Sequence, residues 1–223
     1  MINLSKRLQA VADLVSETTN NKIIDIGCDH GLLDVYLAQK MKNIEVIATD
    51  INSNALNNAK ENIKKHRLSK KIETRLGNGL DVVTEHEINT VIISGMGSHT
   101  IVGVLYKNIN KLKNVHTLII QSNNNIDFLR KKITKLDYYI EEEKLVKENN
   151  IIYTIIKFKK GRKFYNYKQL YFGPILLKEK PALFYEKNKV DLKKLKLLYS
   201  KIPKKYLIYR FKTFCKIKLY QKI

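Results

Sequence analysis

Two carboxylates and two glycines stand close together in the stretch Ile23 to Leu33, which reads IIDIGCDHGLL. Gly27 follows an apolar run, and a glycine there lets the backbone turn beneath a ligand that a side chain would exclude. Asp25 and Asp29 add negative charge, which suits a cationic or hydroxyl-bearing ligand and is unfavourable for a pyrophosphate. Only Gly27 and Gly31 stand where a dinucleotide fingerprint has three glycines. This stretch therefore predicts a ligand that brings no pyrophosphate.

S-adenosylmethionine meets that description, because it carries an ammonium and a sulfonium and no phosphate. Asp50 follows the apolar run VIAT, where an acid is placed to accept hydrogen bonds from both ribose hydroxyls. Asn78, between Gly77 and Gly79, offers an amide that can pair with an adenine edge. The alternatives are local ones: a plain turn capped by Asp29, an N-cap at Asp50, and an ordinary Asn-Gly turn.

Two further polar loops follow later strand-like runs. The first is Ser94-Gly95-Met96-Gly97, and the second is Gln121-Ser122-Asn123-Asn124. In the first of these loops, many amino-methyltransferases carry an acidic or amide residue followed by two prolines and an aromatic residue. That motif clamps an exocyclic amine. Since that motif is absent, a ring nitrogen with its own lone pair is the better target.

These loops need a scaffold that brings them to one edge, and the chain alternates short apolar runs with amphipathic stretches. This alternation is typical of an α/β fold with a parallel sheet and crossover helices. Candidate strands are Ile23 to Ile26, Val46 to Thr49, Ile72 to Leu76, Val91 to Ser94 and Thr117 to Gln121. Candidate helices lie near Leu32 to Met41, Ser53 to His66, Thr100 to Leu112 and Asn125 to Leu136, after a first helix around Leu4 to Val15.

The rhythm changes near the end of the sheet. Tyr138 to Val146 and Ile151 to Phe158 are joined by only four residues, too few for a parallel crossover, so they predict an antiparallel hairpin. Parallel strands closed by such a hairpin resemble the Rossmann-like class I methyltransferases. Beyond it, Pro181 and Pro203 each begin a predicted basic helix. We therefore expect a methyltransferase domain over 1–160 and a helical hairpin over 161–223.

The formal net charge of +21 is concentrated at the end of the chain. Residues 1–160 hold 24 Lys+Arg and 18 Asp+Glu, a net of +6, whereas residues 161–223 hold 18 and 3, a net of +15. Such a block attracts a polyanion, with nucleic acid the leading candidate and an anionic membrane the second. Lysine-rich composition alone is the other explanation, but it would have enriched both parts alike.

The cysteines predict that the protein works in a reducing compartment, and the histidines predict no metal site. The chain has two cysteines, far apart in sequence, and five histidines without ligand spacing. No segment approaches eighteen uninterrupted apolar residues, so no membrane span is expected. We expect a cytoplasmic monomer that binds neither a metal nor a membrane.

Several motifs, taken in order, resemble the bacterial TrmK family over nearly the whole chain. They are LSKRLQAVADLV, DIGCDHGLL, ATDIN, GNGL, ISGMG, IIQSN followed by FLRKKI, and FGPIL before the basic helices. The resemblance implies a tRNA methyltransferase that transfers a methyl group from S-adenosylmethionine to N1 of the adenine at tRNA position 22. It also implies a Rossmann-like domain followed by a coiled-coil hairpin.

The same resemblance implies roles for individual residues. The cofactor would contact Arg7, Asp25, Gly27, Asp29, His30, Asp50, Asn78, Gly79, Gly95 and Met96, with Gly97 beside the transfer site. Asp29 and Asn123 are the catalytic candidates, with His30 as the alternative to Asp29. The chain departs from the family pattern in two places: Leu32-Leu33-Asp34 replaces the end of DHGYLP, and Ser122 replaces the proline of QPN. An aromatic platform for the substrate base would then be missing at Leu32.

Other function classes stay open on the sequence alone. A small-molecule methyltransferase would share the loops but has no use for the basic end of the chain. A different RNA methyltransferase would use both, and an inactive RNA-binding module would keep the charge without binding S-adenosylmethionine.

Overall fold

The computed structural model describes residues 2–221 and residue 223. The chain forms two compact units that divide after Ile175, the second running from Leu176 to Ile223. The predicted boundary after residue 160 is the end of the last strand, and residues 161–175 follow the sheet within the first unit.

The first unit contains one seven-stranded sheet in the order β3-β2-β1-β4-β5-β7-β6. Strands β1 to β5 are parallel, and β7 is antiparallel to both of its neighbours. The predicted parallel sheet with a closing antiparallel hairpin is therefore confirmed. The strands are β1 (Asn21–Ile26), β2 (Ile44–Asp50), β3 (Ile72–Leu76), β4 (Thr90–Met96), β5 (Thr117–Ser122), β6 (Tyr138–Glu148) and β7 (Ile151–Lys160).

Helices cover both faces of this sheet, as a parallel sheet requires. Successive isoleucines alternate between the two faces: Ile24 and Ile93 belong to one buried cluster, and Ile23 and Ile92 to the other. The helices of the first unit are α1 (Lys6–Ala12), α2 (Leu32–Lys40), α3 (Ser53–Lys65), α4 (Ser98–Lys107), α5 (Ile126–Ile133) and α6 (Tyr167–Phe172); α7 (Pro174–Glu179) continues into the second unit.

The predicted helix from Thr100 to Leu112 is interrupted at Asn108. Helix α4 ends at Lys107, and a 3₁₀ segment follows over Ile109–Asn114. The Asn108 amide donates to Asp81 Oδ1 at 3.0 Å and to the Val104 carbonyl at 3.3 Å. A short amide side chain that binds nearby backbone in this way competes with the helix ladder, and periodicity alone does not reveal it.

A buried ion pair holds the segment after the sheet. Arg130 Nε lies 2.7 Å from Glu143 Oε1, and both side chains are almost fully buried. Arg130 Nη1 donates to the Tyr171 carbonyl, and the Ile175 amide donates to Glu143 Oε2. Gly173 passes this pair with φ of +99°, where a Cβ would collide with both charged groups. The glycine of the FGPIL motif is thus required by close approach.

Helix α1 is attached to the last two strands rather than to its sequence neighbours alone. The Arg7 guanidinium lies 3.9 Å from the Glu148 carboxylate at the end of β6. Shortly after the helix, Ser16 Oγ accepts a hydrogen bond from Lys157 Nζ of β7 at 2.7 Å. The start of the chain therefore depends on residues more than 140 positions away.

The second unit contains two longer helices, α8 (Ala182–Lys201) and α9 (Leu207–Tyr220). Pro181 precedes α8 as predicted, but the second helix begins at Leu207 and not at Pro203, because residues 203–206 form a turn closed by the Tyr206 amide on the Pro203 carbonyl. Arg210 donates to the Ile202 carbonyl at 2.6 Å and so joins the two helices. Within the described residues, no helix is long and apolar enough to cross a membrane.

Candidate active site at the carboxyl edge of the sheet

A cavity of about 470 Å³ opens where β1 and β4 lie side by side. This is the point at which the strand order reverses, and ligands of open α/β sheets bind there, beyond the carboxyl ends of the strands. The cavity is lined by Arg7, Leu8, Asp25, Gly27, Cys28, Asp29, His30, Leu32, Leu33, Asp50, Asn52, Ala55, Ser94, Gly95 and Met96. Eight of the ten predicted cofactor residues therefore surround one space.

Asp25 is the most unusual group in this cavity. Its side chain is buried, and burial, together with the charge of Asp50, raises its pKa to about 7. No ion pair among the described residues includes Asp25. A buried carboxylate without a cation is costly, so a positively charged ligand group in the cavity would remove that cost.

The absence of a side chain at Gly27 leaves room in the cavity for a ligand. Its φ is +77°, and a Cβ at this position would meet the methyl end of Met96. The Gly27 amide donates to the Thr49 carbonyl at 2.8 Å, which fixes the turn against β2. Any larger residue would be strained and would push Met96 from the wall of the cavity.

Asp50 holds the adjacent loop and does not cap the next helix. Its Oδ2 accepts from the Asp29 amide at 3.2 Å, and its Oδ1 accepts from the Asn52 amide at 2.9 Å. The cap of α3 is Asn52, whose side chain accepts from the Asn54 amide, so the alternative interpretation of Asp50 as an N-cap is wrong. With two acceptor positions used, the Asp50 carboxylate keeps others for hydroxyl donors.

Asp29 is equally not a helix cap, because Gly31 occupies the cap position of α2. Its backbone has φ of +51°, and its carboxylate is 73 % exposed at the rim of the cavity. The only ionisable partner within 4.0 Å among the described residues is the His30 ring, at 3.6 Å. Asp29 is thus available to a substrate.

Gln121 ties three elements together beneath the cavity. Its Oε1 accepts from Arg7 Nη1 at 2.8 Å, from Ser94 Oγ at 3.1 Å and from the Gly95 amide at 2.9 Å. Gly95 is a bulge in the ladder between β4 and β5, with φ of +84°, so the side chain of Gln121 satisfies an amide that the sheet leaves free. Sequence reasoning placed Gln121 in a polar loop but did not foresee this role, since it follows from the bulge.

Asn123 lies outside the cavity and is hydrogen-bonded to Gln121. Its Nδ2 donates to the Gly95 carbonyl at 2.6 Å, and its Oδ1 accepts from Gln121 Nε2 at 3.0 Å. The side chain does not line the cavity but is exposed beside it. One amide hydrogen and one lone pair remain for a substrate.

Asn78 and Gly79 are the two predicted cofactor residues that do not line the cavity. Asn78 is exposed at the start of a 3₁₀ turn, and Gly79 is buried against Val104 with φ of +59°. Conversely, the pattern did not single out Leu8, Asn52 or Ala55, although the helix that follows ATDIN could have suggested Asn52. Among the described residues, no group of three His, Cys, Asp or Glu side chains is placed to hold a metal ion.

Two buried residues, Cys28 and Asp34, have pKa values raised above their ordinary range. Burial raises the pKa of the Cys28 thiol well above its ordinary value, with Asp34 adding to the effect. Asp34 is fully buried, neither carboxylate oxygen has a hydrogen-bond partner, and burial and Asp25 raise its pKa well above the usual range. Asp34 is one of the positions at which the loop departs from the pattern it resembles.

Comparison with known proteins places this arrangement in one family. Residues 23–220 match the family model described as TrmK: tRNA (adenine(22)-N(1))-methyltransferase. The chain is 30 % identical over 208 residues to the tRNA (adenine(22)-N(1))-methyltransferase of Bacillus subtilis, covering 90 % of this chain and 86 % of the relative.

Solved structures agree over nearly the full length. A Streptococcus pneumoniae protein in complex with S-adenosyl-L-methionine has a TM-score of 0.90 at 29 % identity, covering 99 % of both chains. TrmK of M. capricolum, solved with S-adenosyl-homocysteine, has a TM-score of 0.88 at 30 % identity, covering 98 % of this chain and 96 % of that one.

Proposed function

The chain belongs to the TrmK family of tRNA (adenine(22)-N(1))-methyltransferases, and from this premise we propose how its residues carry out that reaction. The protein transfers a methyl group from S-adenosylmethionine to N1 of the adenine at position 22 of tRNA. The observation that carries the proposal is the buried, unpaired Asp25 in a cavity at the reversal point of the sheet.

The residues around the cavity fit the cofactor's chemistry. Asp25 provides a carboxylate for a buried ammonium, and Asp50 provides acceptors for ribose hydroxyls. Gly27 keeps open the space between them that a Cβ would fill. Arg7, held by Ser94 and Gln121, closes the side of the cavity formed by α1. We keep Asn78 and Gly79 as proposed contacts for the adenine, because the turn they form follows β3 at the same edge of the sheet.

S-adenosylmethionine supplies an electrophilic methyl carbon on a sulfonium. The N1 lone pair of the target adenine attacks that carbon, so the N1–carbon bond forms as the carbon–sulfur bond breaks. Attack leaves a positive charge on the adenine, and Asp29 stabilises it or takes a proton from the exocyclic nitrogen. Its exposure at the rim and its left-handed backbone, which directs the side chain away from helix α2, support this assignment.

Asn123 orients the base in this proposal. Its amide is held at both ends, by the Gly95 carbonyl and by Gln121, and so presents one donor and one acceptor in a fixed direction. The Hoogsteen edge of adenine offers N7 as an acceptor and the exocyclic amine as a donor, and pairing there leaves the N1 lone pair free to attack. Positioning of this kind contributes to catalysis without covalent participation.

Residues 161–223 are proposed to bind the tRNA backbone through their net charge of +15. On α8, Lys193, Lys194 and Lys196 are all exposed. Replacing the three with Gln should weaken tRNA binding and reduce the slope of log K against log salt by about 0.7 to 0.9 for each phosphate that is no longer neutralised. The matched control replaces Lys60, Lys64 and Lys65, three exposed lysines of α3. Equal slopes for both triple variants would contradict a dedicated role for residues 161–223 in tRNA binding.

The reaction itself is tested with purified protein, S-adenosylmethionine and a tRNA transcript. Methylation at N1 blocks Watson–Crick pairing, so reverse transcription should stop at position 22. A transcript with guanine at that position is the matched control and should give no stop there. A stop at another adenine, or methylation of a small molecule and not of tRNA, would contradict the proposal.

We also propose that the protein acts as a cytoplasmic monomer. Cys28 is buried and Cys215 is exposed, and neither forms a disulfide, in keeping with a reducing compartment. Sedimentation of the purified protein with and without tRNA tests the oligomeric state, and a dimer in both conditions would contradict it.

A further inference from the structure

A ladder of aromatic and cationic side chains runs across helices α4 and α5, outside the cavity described above. The His99 ring stacks on Phe128 with centroids 4.3 Å apart and an interplanar angle of 27°. Lys132 Nζ lies 5.6 Å from the Phe128 centroid and 5.8 Å from the Tyr106 centroid. We call these four residues the α4–α5 ladder.

The spacing of the ladder follows from helix geometry. His99 and Tyr106 are seven residues apart on α4, and Phe128 and Lys132 are four apart on α5, so each pair lies along one face of its helix. The Tyr106 hydroxyl donates to the Lys132 carbonyl at 3.0 Å and keeps the two helices in register. The ladder is thus a continuous surface and not a set of separate contacts.

The inner end of the ladder is fixed to the proposed methyl-transfer edge. His99 is two residues after Gly97, and the preceding residue, Ser98, is buried. Ser98 hydrogen-bonds to Ser122 Oγ at 2.9 Å and to the Asn125 carbonyl at 3.0 Å, on the loop that also carries Asn123. His99 is therefore joined, through its neighbour Ser98, to the loop that carries Asn123.

Exposure and charge suit a nucleic acid. His99 is exposed, and Tyr106 is 38 % exposed, while Phe128 and Lys132 are half-buried beneath them. Lys132 forms no ion pair within the described residues. Across the two helices the one carboxylate is Asp127, and of the four Lys and Arg, Arg130 is paired with Glu143 and Lys107 with Asp81, which leaves Lys131 and Lys132 without an ion pair among the described residues. Flat rings beside an uncompensated cation are the usual means of holding unpaired bases and their phosphates.

We propose that the His99 ring stacks on an unpaired nucleotide adjacent to the target adenine and that Lys132 binds a phosphate of the same strand. This inference rests on the proposed function, because it places a second nucleotide of the same tRNA. It also supplies an aromatic surface for this chain, whose cavity loop has Leu32 where the family pattern has an aromatic. A purely structural stack would hold α4 against α5 and have no effect on tRNA.

The test compares His99→Ala and His99→Phe with the wild-type chain. Removal of the ring beneath one stacked base lowers affinity by about 5- to 150-fold, so His99→Ala should lose tRNA affinity and kcat/KM for tRNA within that range. His99→Phe keeps a flat ring and should stay close to wild type. S-adenosylmethionine affinity by calorimetry should be unchanged in both. His116→Ala is the matched control, an exposed histidine at the opposite edge of the sheet.

Lys132→Gln should reduce the salt slope of tRNA binding by about 0.7 to 0.9, the effect of one phosphate contact. Its matched control is Lys40→Gln, because Lys40 also lies over an aromatic ring four residues earlier, 5.8 Å from Tyr36, but at the far end of α2. An unchanged slope for Lys132→Gln would overturn the phosphate contact.

A tRNA lacking the base on one side of the target adenine completes the test. If His99 stacks on that base, the abasic tRNA should bind the wild type as weakly as intact tRNA binds His99→Ala, and combining the two changes should add nothing. Fully additive losses on both flanks, or a His99→Ala variant that binds intact tRNA normally, would overturn the proposal. Because binding is measured without turnover, failure of the ladder is distinguishable from failure of the proposed function, which shows as absence of methylation by the wild type.

Discussion

Both edges of the central sheet carry a cavity, and the two differ in how their charges are paired more than in size. The cavity at the amino edge has a volume of about 370 Å³, against about 470 Å³ at the carboxyl edge. At the amino edge, Arg75 contacts both Glu73 and Glu87, at 2.7 and 2.5 Å. At the carboxyl edge, Asp25 is buried without a cation among the described residues.

The pKa shifts of the two edges are opposite in direction. Hydrogen bonds from Arg75 lower the pKa of Glu87 to about 2, whereas burial raises that of Asp25 to about 7. Charges that are already paired within the protein stabilise a fold, whereas an unpaired carboxylate that lines a cavity, as Asp25 does, indicates a ligand. The contrast in pairing, and not cavity volume, identifies the functional edge.

The largest expected effect is that of Asp29→Ala at the carboxyl edge. Removing a group that stabilises or deprotonates the product cation should slow methyl transfer to bound tRNA by about 100- to 10,000-fold, with tRNA affinity nearly intact. Single-turnover methylation at saturating tRNA measures it. His30→Ala serves as the comparison, and a larger loss there than in Asp29→Ala would transfer the role to His30.

Asp25→Asn should weaken S-adenosylmethionine binding by about 10- to 100-fold, the value of one charge-assisted hydrogen bond. The wild-type affinity should also fall below pH 7, by up to about tenfold per pH unit, because the ammonium must displace a proton from Asp25; above pH 7 it should level off. Calorimetry from pH 5.5 to 8.5 measures both effects. A variant with wild-type affinity, or a flat wild-type profile, would remove Asp25 from the cofactor site.

Arg75→Met at the amino edge should change stability and not binding. It leaves Glu87 partly buried without its cation, at a cost of about 1 to 3 kcal/mol. Since a depressed pKa contributes stability above the ordinary value and loses it as the pH falls, the variant should also show a flatter acid limb between about pH 4.5 and pH 2. Urea denaturation across pH measures this, and a matching loss of S-adenosylmethionine affinity would show that the two edges are not independent.

The smallest effect is expected for Asp34→Ala. A raised carboxyl pKa means that stability falls as the pH rises above the unfolded value, so removing the group should raise the free energy of unfolding by about 1 kcal/mol at pH 8 and by less at pH 5. Asp34→Asn is the control that removes the charge and keeps the polarity. Chemical denaturation at the two pH values measures the change, and an Asp34→Ala variant less stable than wild type at both would show that the buried carboxyl stabilises the fold.

Much of this contrast could be predicted from the sequence, because each functional loop follows an apolar run. Asp25 is the penultimate residue of one predicted strand, and Asp50 and Gly95 directly follow two others. Parallel strands bring such ends to one edge. The role of Gln121 could not be predicted, since it depends on the bulge at Gly95. Neither could the burial of Asp34, a charged residue at a helix start that sequence patterns place in solvent.

The helix break at Asn108 and the late start of α9 were missed for a different reason. Both depend on local competition, from an amide side chain in the first case and from a turn at Pro203 in the second. Hydrophobic periodicity shows which face of a helix is apolar. It does not show at which residue the backbone hydrogen bonds change partner. The sequence therefore predicts which residues lie at a sheet edge or on an apolar helix face more accurately than it predicts where a helix ends.

The attachment of α1 to the last hairpin has a consequence for the order in which the protein assembles. Arg7 reaches its place at the cavity beside Glu148, and Ser16 receives its bond from Lys157, at the far end of the domain. A nascent chain on the ribosome therefore holds the first helix without these two contacts until the hairpin has emerged. A chain truncated before β6 would therefore contain every residue that lines the cavity and still lack the hairpin contacts that hold the start of the chain.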